Sequence, residues 1–227
     1  MNLKNKVVVI TGSTGGLGKA LALELINEQA KVIINGRSAK KLEQTSKEIG
    51  AVACVGDVTK EKDMQKLANF AVKKFRELDI WINNAGIGIE HCEMEKIDSK
   101  QAHKVMEVNF FGTFFGSRSA MKHMKKQKNG TILNIISSRA IIPSPLSSVY
   151  SSSKWAVRGF TELLRADLKR DNVSVIAAYP SGMKTNFFGK AQPVDYKNYM
   201  EPSFVAKKII QNLKEQKPKK ELIIKKK

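Results

Sequence analysis

The stretch Val7-Val8-Val9-Ile10-Thr11-Gly12-Ser13-Thr14-Gly15-Gly16-Leu17-Gly18 decides the fold. Four consecutive β-branched apolar residues present no polar face, so they read as a strand covered on both sides. The glycines behind them predict a tight turn, and the apolar spacing over residues 17–28 predicts a helix. Further strands are predicted at residues 32–34, 52–55, 80–82, 131–136, 173–177 and 222–224, and further helices at 40–49, 60–75, 99–126, 151–169 and 204–214. Strict strand and helix alternation implies an α/β fold: a doubly wound parallel sheet of about seven strands with helices on both faces. No repeat, linker or composition break divides residues 1–227, which are expected to form a single domain.

The glycine turn suggests a ligand as well as a shape. Gly12, Gly16 and Gly18 let the backbone approach a pyrophosphate, whose charge the free N–H groups and the helix dipole stabilise. Gly12, Ser13, Thr14, Gly16, Leu17 and Gly18 are the candidate contacts, in a Rossmann-type arrangement. The spacing is G-x-x-x-G-x-G rather than the common G-x-G-x-x-G, and a ligand-free turn is the alternative. At the end of the second strand, where a carboxylate would bind the ribose hydroxyls of NAD, the chain reads Asn35-Gly36-Arg37-Ser38. An arginine there pairs with a 2′-phosphate, so NADP(H) is expected in preference to NAD(H). A merely solvated Arg37 is the other reading.

Tyr150 and Lys154 lie four residues apart at the start of a predicted helix, hence on one face. A free tyrosine is a poor base at neutral pH, and a neighbouring ammonium is expected to draw its pKa down toward the range useful for acid–base work. Alone, such a pair is more simply a helix-start tyrosine and a surface lysine. Together, the Thr11-Gly-x-x-x-Gly-x-Gly turn, Asn83-Asn84-Ala85-Gly86, Ser137-Ser138 and Tyr150-x-x-x-Lys154 resemble the short-chain dehydrogenase/reductase family along essentially the whole chain. The resemblance implies an NADP(H)-dependent oxidoreductase that moves hydride between a nicotinamide and a carbonyl or alcohol. Tyr150 would be the general acid or base, Lys154 its partner and a ligand of the nicotinamide ribose, Ser138 a donor to the substrate oxygen, and Asn109 a helix-kink residue in a proton relay. Asp57 and Val58 would flank the adenine, Asn83, Ala85 and Gly86 the adenosine ribose, and Met183 and Thr185 the carboxamide and pyrophosphate. The family's habit also implies a homodimer or homotetramer.

The chain departs from the pattern in places. Family members place the serine 13 residues before the tyrosine, whereas Ser138 lies 12 and Ser137 lies 13 before Tyr150. Ser138 is preferred because the strand end anchors it, with Ser137 as the alternative. Ser181 replaces the glycine of the usual Pro-Gly turn. The substrate loop, residues 186–200, is short and carries Phe187, Phe188, Tyr196 and Tyr199; with Ile141, Ile142 and Leu146 it suits an apolar carbonyl substrate. Arg139 reads as either an anion ligand or a solvated charge. A non-catalytic NADP-binding sensor or scaffold is the competing function.

Composition narrows the partners. Forty Lys and Arg against 21 Asp and Glu give a net charge of +19, a field attractive to phosphates, anionic lipids or nucleic acid. No helix-turn-helix, zinc or stacking-aromatic motif supports a specific nucleic-acid partner. Cys54 and Cys92 exclude a disulfide framework, and His91, His103 and His123 lack metal-site spacing, so no metal is expected. With no signal-peptide core and no long apolar run, a soluble cytoplasmic protein without membrane insertion is expected.

Overall fold

Val7 and Val9 point to one side of the first strand and Val8 and Ile10 to the other, and all four are at most 1% exposed. Burial on both sides requires a layer of helices above and below, which the chain supplies. The computed structural model describes residues 1–89, 92–143, 145–188, 193 and 195–226. Seven parallel strands, β1 (Val7–Ile10), β2 (Lys31–Gly36), β3 (Val52–Val55), β4 (Ile80–Asn83), β5 (Gly130–Ile135), β6 (Val173–Pro180) and β7 (Glu221–Ile224), form one sheet in the order β3-β2-β1-β4-β5-β6-β7. The helices are α1 (Gly16–Asn27), α2 (Ala39–Ile49), α3 (Glu61–Phe75), α4 (Ser99–Met106), α5 (Gly112–Gln127), α6 (Ser148–Leu168) and α7 (Pro202–Lys214).

Strand alternation assigns each helix its face. On one side Leu21 and Leu25 of α1 and Val205 and Ile209 of α7 pack on Val8, Ile10, Ile34 and Ile82. On the other, Leu67 of α3, Met124 of α5 and Leu164 of α6 pack on Val7, Val9, Ile33 and Trp81. None of the described helices is long and apolar enough to cross a membrane.

The helix expected over 99–126 differs in one respect. Between α4 and α5 the backbone widens into a five-residue π-helical segment, Glu107–Phe111. The wider turn accompanies a change of partner by Asn109: its Oδ1 accepts from Ile87 N at 2.8 Å and its Nδ2 donates to Ile87 O at 3.0 Å. A side chain pulled onto the loop after β4 is thus accommodated without breaking the helix.

A buried polar chain ties the centre of the sheet to its helices. Trp81 Nε1 donates to Asn83 Oδ1 at 2.7 Å; Asn83 Nδ2 donates to Ser117 Oγ at 2.9 Å and to Asn134 Oδ1 at 2.8 Å. Asn134 Nδ2 continues to Thr161 Oγ1 on α6 at 2.9 Å. Helix α5 approaches this chain through Gly116, where an added Cβ would lie 2.2 Å from Asn83 Oδ1 and 2.9 Å from Trp81 Nε1. Gly116→Ala therefore has to push α5 off the sheet or break a buried hydrogen bond. A destabilisation of about 2 kcal/mol is expected, lowering Tm by about 4–8 °C in a thermal melt; an unchanged melting curve would contradict this packing.

Candidate active site

Strands β1 and β4 are neighbours, yet the helices that follow them cover opposite faces, so the loops leaving their carboxyl ends diverge. A crevice opens there, as at the switch point of any doubly wound sheet. It extends into a cleft of about 1570 Å³. Thr11 braces the parting loops: its Oγ1 accepts from Asn84 N at 3.0 Å and Ala85 N at 3.1 Å. Asn84 Nδ2 returns to Thr11 O at 3.0 Å and Gly12 O at 2.9 Å. Gly12, at φ +62°, lies so close to Ala85 that a Cβ would sit 2.7 Å from its Cα. Sequence reading assigned Thr11 no such role; its hydroxyl at a strand end, opposite Asn84, is the signal that could have found it.

Beyond this brace the turn is open. Nothing lies within 4 Å of where a Cβ on Gly15 would stand, and a Cβ on Gly16 would lie 3.3 Å from the Thr185 methyl. Thr14, Leu17, Gly18, Ala85, Gly86 and Met183 also line the cleft. At one end stand Arg37, Asp57, Val58 and Lys41. Lys41 was not anticipated; it lies in the first turn of α2, where Lys41 N donates to the N-cap Ser38 Oγ at 3.3 Å. An open backbone cradle, adjacent cations and a tyrosine–lysine pair fit a nicotinamide dinucleotide.

Two expected cofactor contacts point elsewhere. Ser13 is fully buried, with Oγ donating to Ile10 O at 2.8 Å and accepting from Asn35 N at 2.9 Å, so its hydroxyl joins β1 to β2. Asn83 is 3% exposed and its amide is engaged by Trp81, Ser117 and Asn134. Neither is among the cleft-lining residues; Asn84 is. Hydrogen bonds to neighbouring strands engage both side chains, so they brace the sheet rather than a ligand.

The far end of the cleft gathers Ser137, Ser138, Tyr150 and Lys154. Tyr150 is the third residue of α6, and Lys154 follows one turn later with its Nζ 5.8 Å from the Tyr150 ring centroid. Lys154 is 4% exposed, and its Nζ donates to Ile135 O at 3.2 Å. Burial depresses its pKa to about 8. Asn109 does not line the cleft; its Nδ2 donates to Ser153 Oγ at 3.0 Å. A Cβ on Gly86 would meet Asn109 Oδ1 at 3.3 Å and Lys154 Nζ at 3.6 Å, so the two side chains flank that glycine.

One expectation is narrowed here and one corrected. Both candidate serines line the cleft, and Ser137 is the one whose side chain bears on Tyr150, opposing the effect of burial. Ser137 also caps a short 3-10 turn over Ser138–Ala140. The tyrosine pKa is also raised rather than lowered: burial dominates, opposed by the Ser137 hydrogen bond and the Arg139 charge. Phe187 packs edge-on against the ring at 5.6 Å, which contributes to that desolvation. Among the described residues no three His, Cys, Asp or Glu side chains come together; His91 lies outside them.

Comparison with known proteins agrees with this geometry. The family model described as short chain dehydrogenase matches residues 6–194. A diacetyl reductase [(S)-acetoin forming] of Staphylococcus epidermidis is 34% identical over 192 residues, covering 82% of this chain and 74% of that protein. Among solved structures, 3-ketoacyl-(acyl-carrier-protein) reductase from Brucella melitensis, complexed with NADH, superposes with a TM-score of 0.91 at 26% identity, covering 98% of this chain and 97% of that one. Alcohol dehydrogenase from Thermococcus sibiricus, complexed with 5-hydroxy-NADP, gives 0.87 at 25% identity over 96% and 95% of the two chains. With a tyrosine–lysine pair facing an open glycine cradle, and a family match over most of its length, the chain belongs to the short-chain dehydrogenase family and is an NAD(P)(H)-dependent oxidoreductase of carbonyl and alcohol substrates.

Proposed function

We propose that this protein is an NADP(H)-dependent carbonyl reductase in which Tyr150 is the proton donor. The observation that carries the reading is the convergence of Ser137, Tyr150 and Lys154 at one end of the cleft, with Lys154 withdrawn from water. A tyrosine whose pKa burial has raised stays neutral at physiological pH, and a neutral phenol is the form that can give a proton. Reduction therefore suits the site better than oxidation.

A nicotinamide held in this cleft would supply hydride to the carbonyl carbon. Tyr150 Oη donates its proton to the carbonyl oxygen as negative charge grows there, and Ser137 Oγ donates a hydrogen bond to the same oxygen. The phenolate then regains a proton, for which the Lys154 ammonium is the adjacent source. Asn109 is a positioning residue, holding the Ile87 backbone and Ser153 around Lys154. Arg37 and Lys41 support a 2′-phosphate at the opposite end, and Asp57, Val58, Met183 and Thr185 the rest of the cofactor. Exposed Phe111, Trp155 and Leu163, at 43%, 45% and 68%, support a homo-oligomer packed through the π-helical segment and α6, which sedimentation at micromolar concentration checks.

Tyr150→Phe is expected to lower kcat for carbonyl reduction by about 10²–10⁴ while NADPH affinity, read by fluorescence titration, stays within about twofold; undiminished turnover removes the acid role. Because Lys154 loses its proton as pH rises through about 8, reduction should slow over that window. A Lys154→Met variant should lose both the break and most of its rate, whereas a break that persists there assigns it to another group. Replacing Arg37 or Lys41 with Ala should weaken NADPH by about tenfold or more and NADH little. Equal losses for both cofactors would contradict the 2′-phosphate assignment.

A further inference from the structure

Arg139 is half-buried, lines the cleft, and stands two residues from the serine that bonds Tyr150. Its backbone is pinned: Arg139 N donates to Ser137 Oγ at 3.2 Å, and the next residue's carbonyl, Ala140 O, accepts from Arg158 Nη1 at 2.9 Å. Arg139, Tyr150 and Tyr199 line the same cleft, and the guanidinium bears electrostatically on both tyrosines. Among the described residues it makes no side-chain hydrogen bond or ion pair. Arg165, by contrast, meets Glu162 and Glu221, and Arg118 meets Glu61.

A guanidinium partly removed from water and left without an anion is costly unless a ligand supplies one. Asp195, a described carboxylate that also lines the cleft, bears electrostatically on Tyr199, and among the described residues no ion pair joins it to Arg139. Lys225 and Lys226 also line the cleft, following β7 beside Ser181, whose N donates to Ile224 O at 2.9 Å. Positive charge thus prevails where the substrate enters. Phe187 closes the space on a third side, packed against Tyr150, and a Cβ on Gly88 would touch its ring at 2.7 Å.

We infer that the substrate is a short oxo compound bearing an anionic group, a carboxylate or a phosphate, which Arg139 holds while its carbonyl reaches Tyr150 and Ser137. A planar fork of donors suits either anion, since both present two oxygens side by side. The inference rests on the reading of Tyr150 as the proton donor, and replaces the purely apolar substrate expected from Phe187 and its neighbours.

The test compares substrates that differ only in charge. Acetoacetate against its methyl ester probes carboxylate, and dihydroxyacetone phosphate against dihydroxyacetone probes phosphate, each with NADPH. The wild-type kcat/KM should favour the anion of at least one pair by about 10- to 100-fold. In Arg139→Gln that ratio should fall to near one, and in Arg139→Lys to an intermediate value. The ratio is the readout because the guanidinium also influences Tyr150, so loss of Arg139 slows both members of a pair. Calorimetric titration of the NADPH-loaded Tyr150→Phe protein should show the same preference in binding, without turnover. No charge preference in the wild-type protein, or one undiminished in Arg139→Gln, overturns the inference. Turnover that survives in Tyr150→Phe instead overturns the proton-donor reading and leaves the charge ratio to be judged separately.

Discussion

A single ammonium, Lys154, has one protein carbonyl for a partner and almost no water. Keeping a cation in such a place is unfavourable, and its depressed pKa expresses that cost. The surrounding fold makes the position possible. Ile135 ends β5 and the tyrosine–lysine turn begins α6, so the ammonium sits where a strand's carboxyl end meets a helix's first turn. Because both faces of the sheet are sealed by helices, reactive groups can be offered to a ligand only at such strand ends. Lysine, tyrosine and serine come from two consecutive elements and converge at one of them.

The cleft is electrostatically uneven along its length. Its cofactor end has the open N–H groups of the glycine turn with Arg37 and Lys41 close by, all suited to phosphates. The reactive end instead desolvates its groups, raising the tyrosine and lowering the lysine, so both lean toward their neutral forms near physiological pH. A pair brought together in this way can exchange a proton with little change in net charge. Arg139 adds a cation at the edge of that desolvated region, where it acts on substrate choice and on the tyrosine together.

Much of this was legible in the chain. The run Val7–Ile10 is the strand itself, because an uninterrupted β-branched stretch has few other uses, and the apolar run Val52–Val55 likewise coincides with its strand. Tyr150, Lys154 and the glycine turn declared themselves by spacing, and the kink at Asn109 was implied by the family resemblance, although its π-helical form depends on a contact with Ile87 that lies 22 residues away in sequence. What stayed hidden was direction and environment. Ser13 and Asn83 sit inside recognisable motifs but turn inward, a fact fixed by which strand neighbours them. The choice between Ser137 and Ser138 hung on the short 3-10 turn over Ser138–Ala140 that follows β5. The sign of the tyrosine shift could not be read locally, since the burial that dominates it comes from Phe187 and other parts of the chain distant in sequence.

Titration of Lys154 reaches the centre of this account. With ¹³C placed at the lysine Cε positions and the Lys154 signal assigned by comparison with Lys154→Arg, NMR would follow its ionisation directly. Burial against Ile135 predicts a midpoint near 8, the cation being present below it and lost as pH rises through it. A midpoint at the ordinary lysine value of 10.5 would mean that the ammonium is solvated, and the desolvated tyrosine–lysine pair would have to be abandoned.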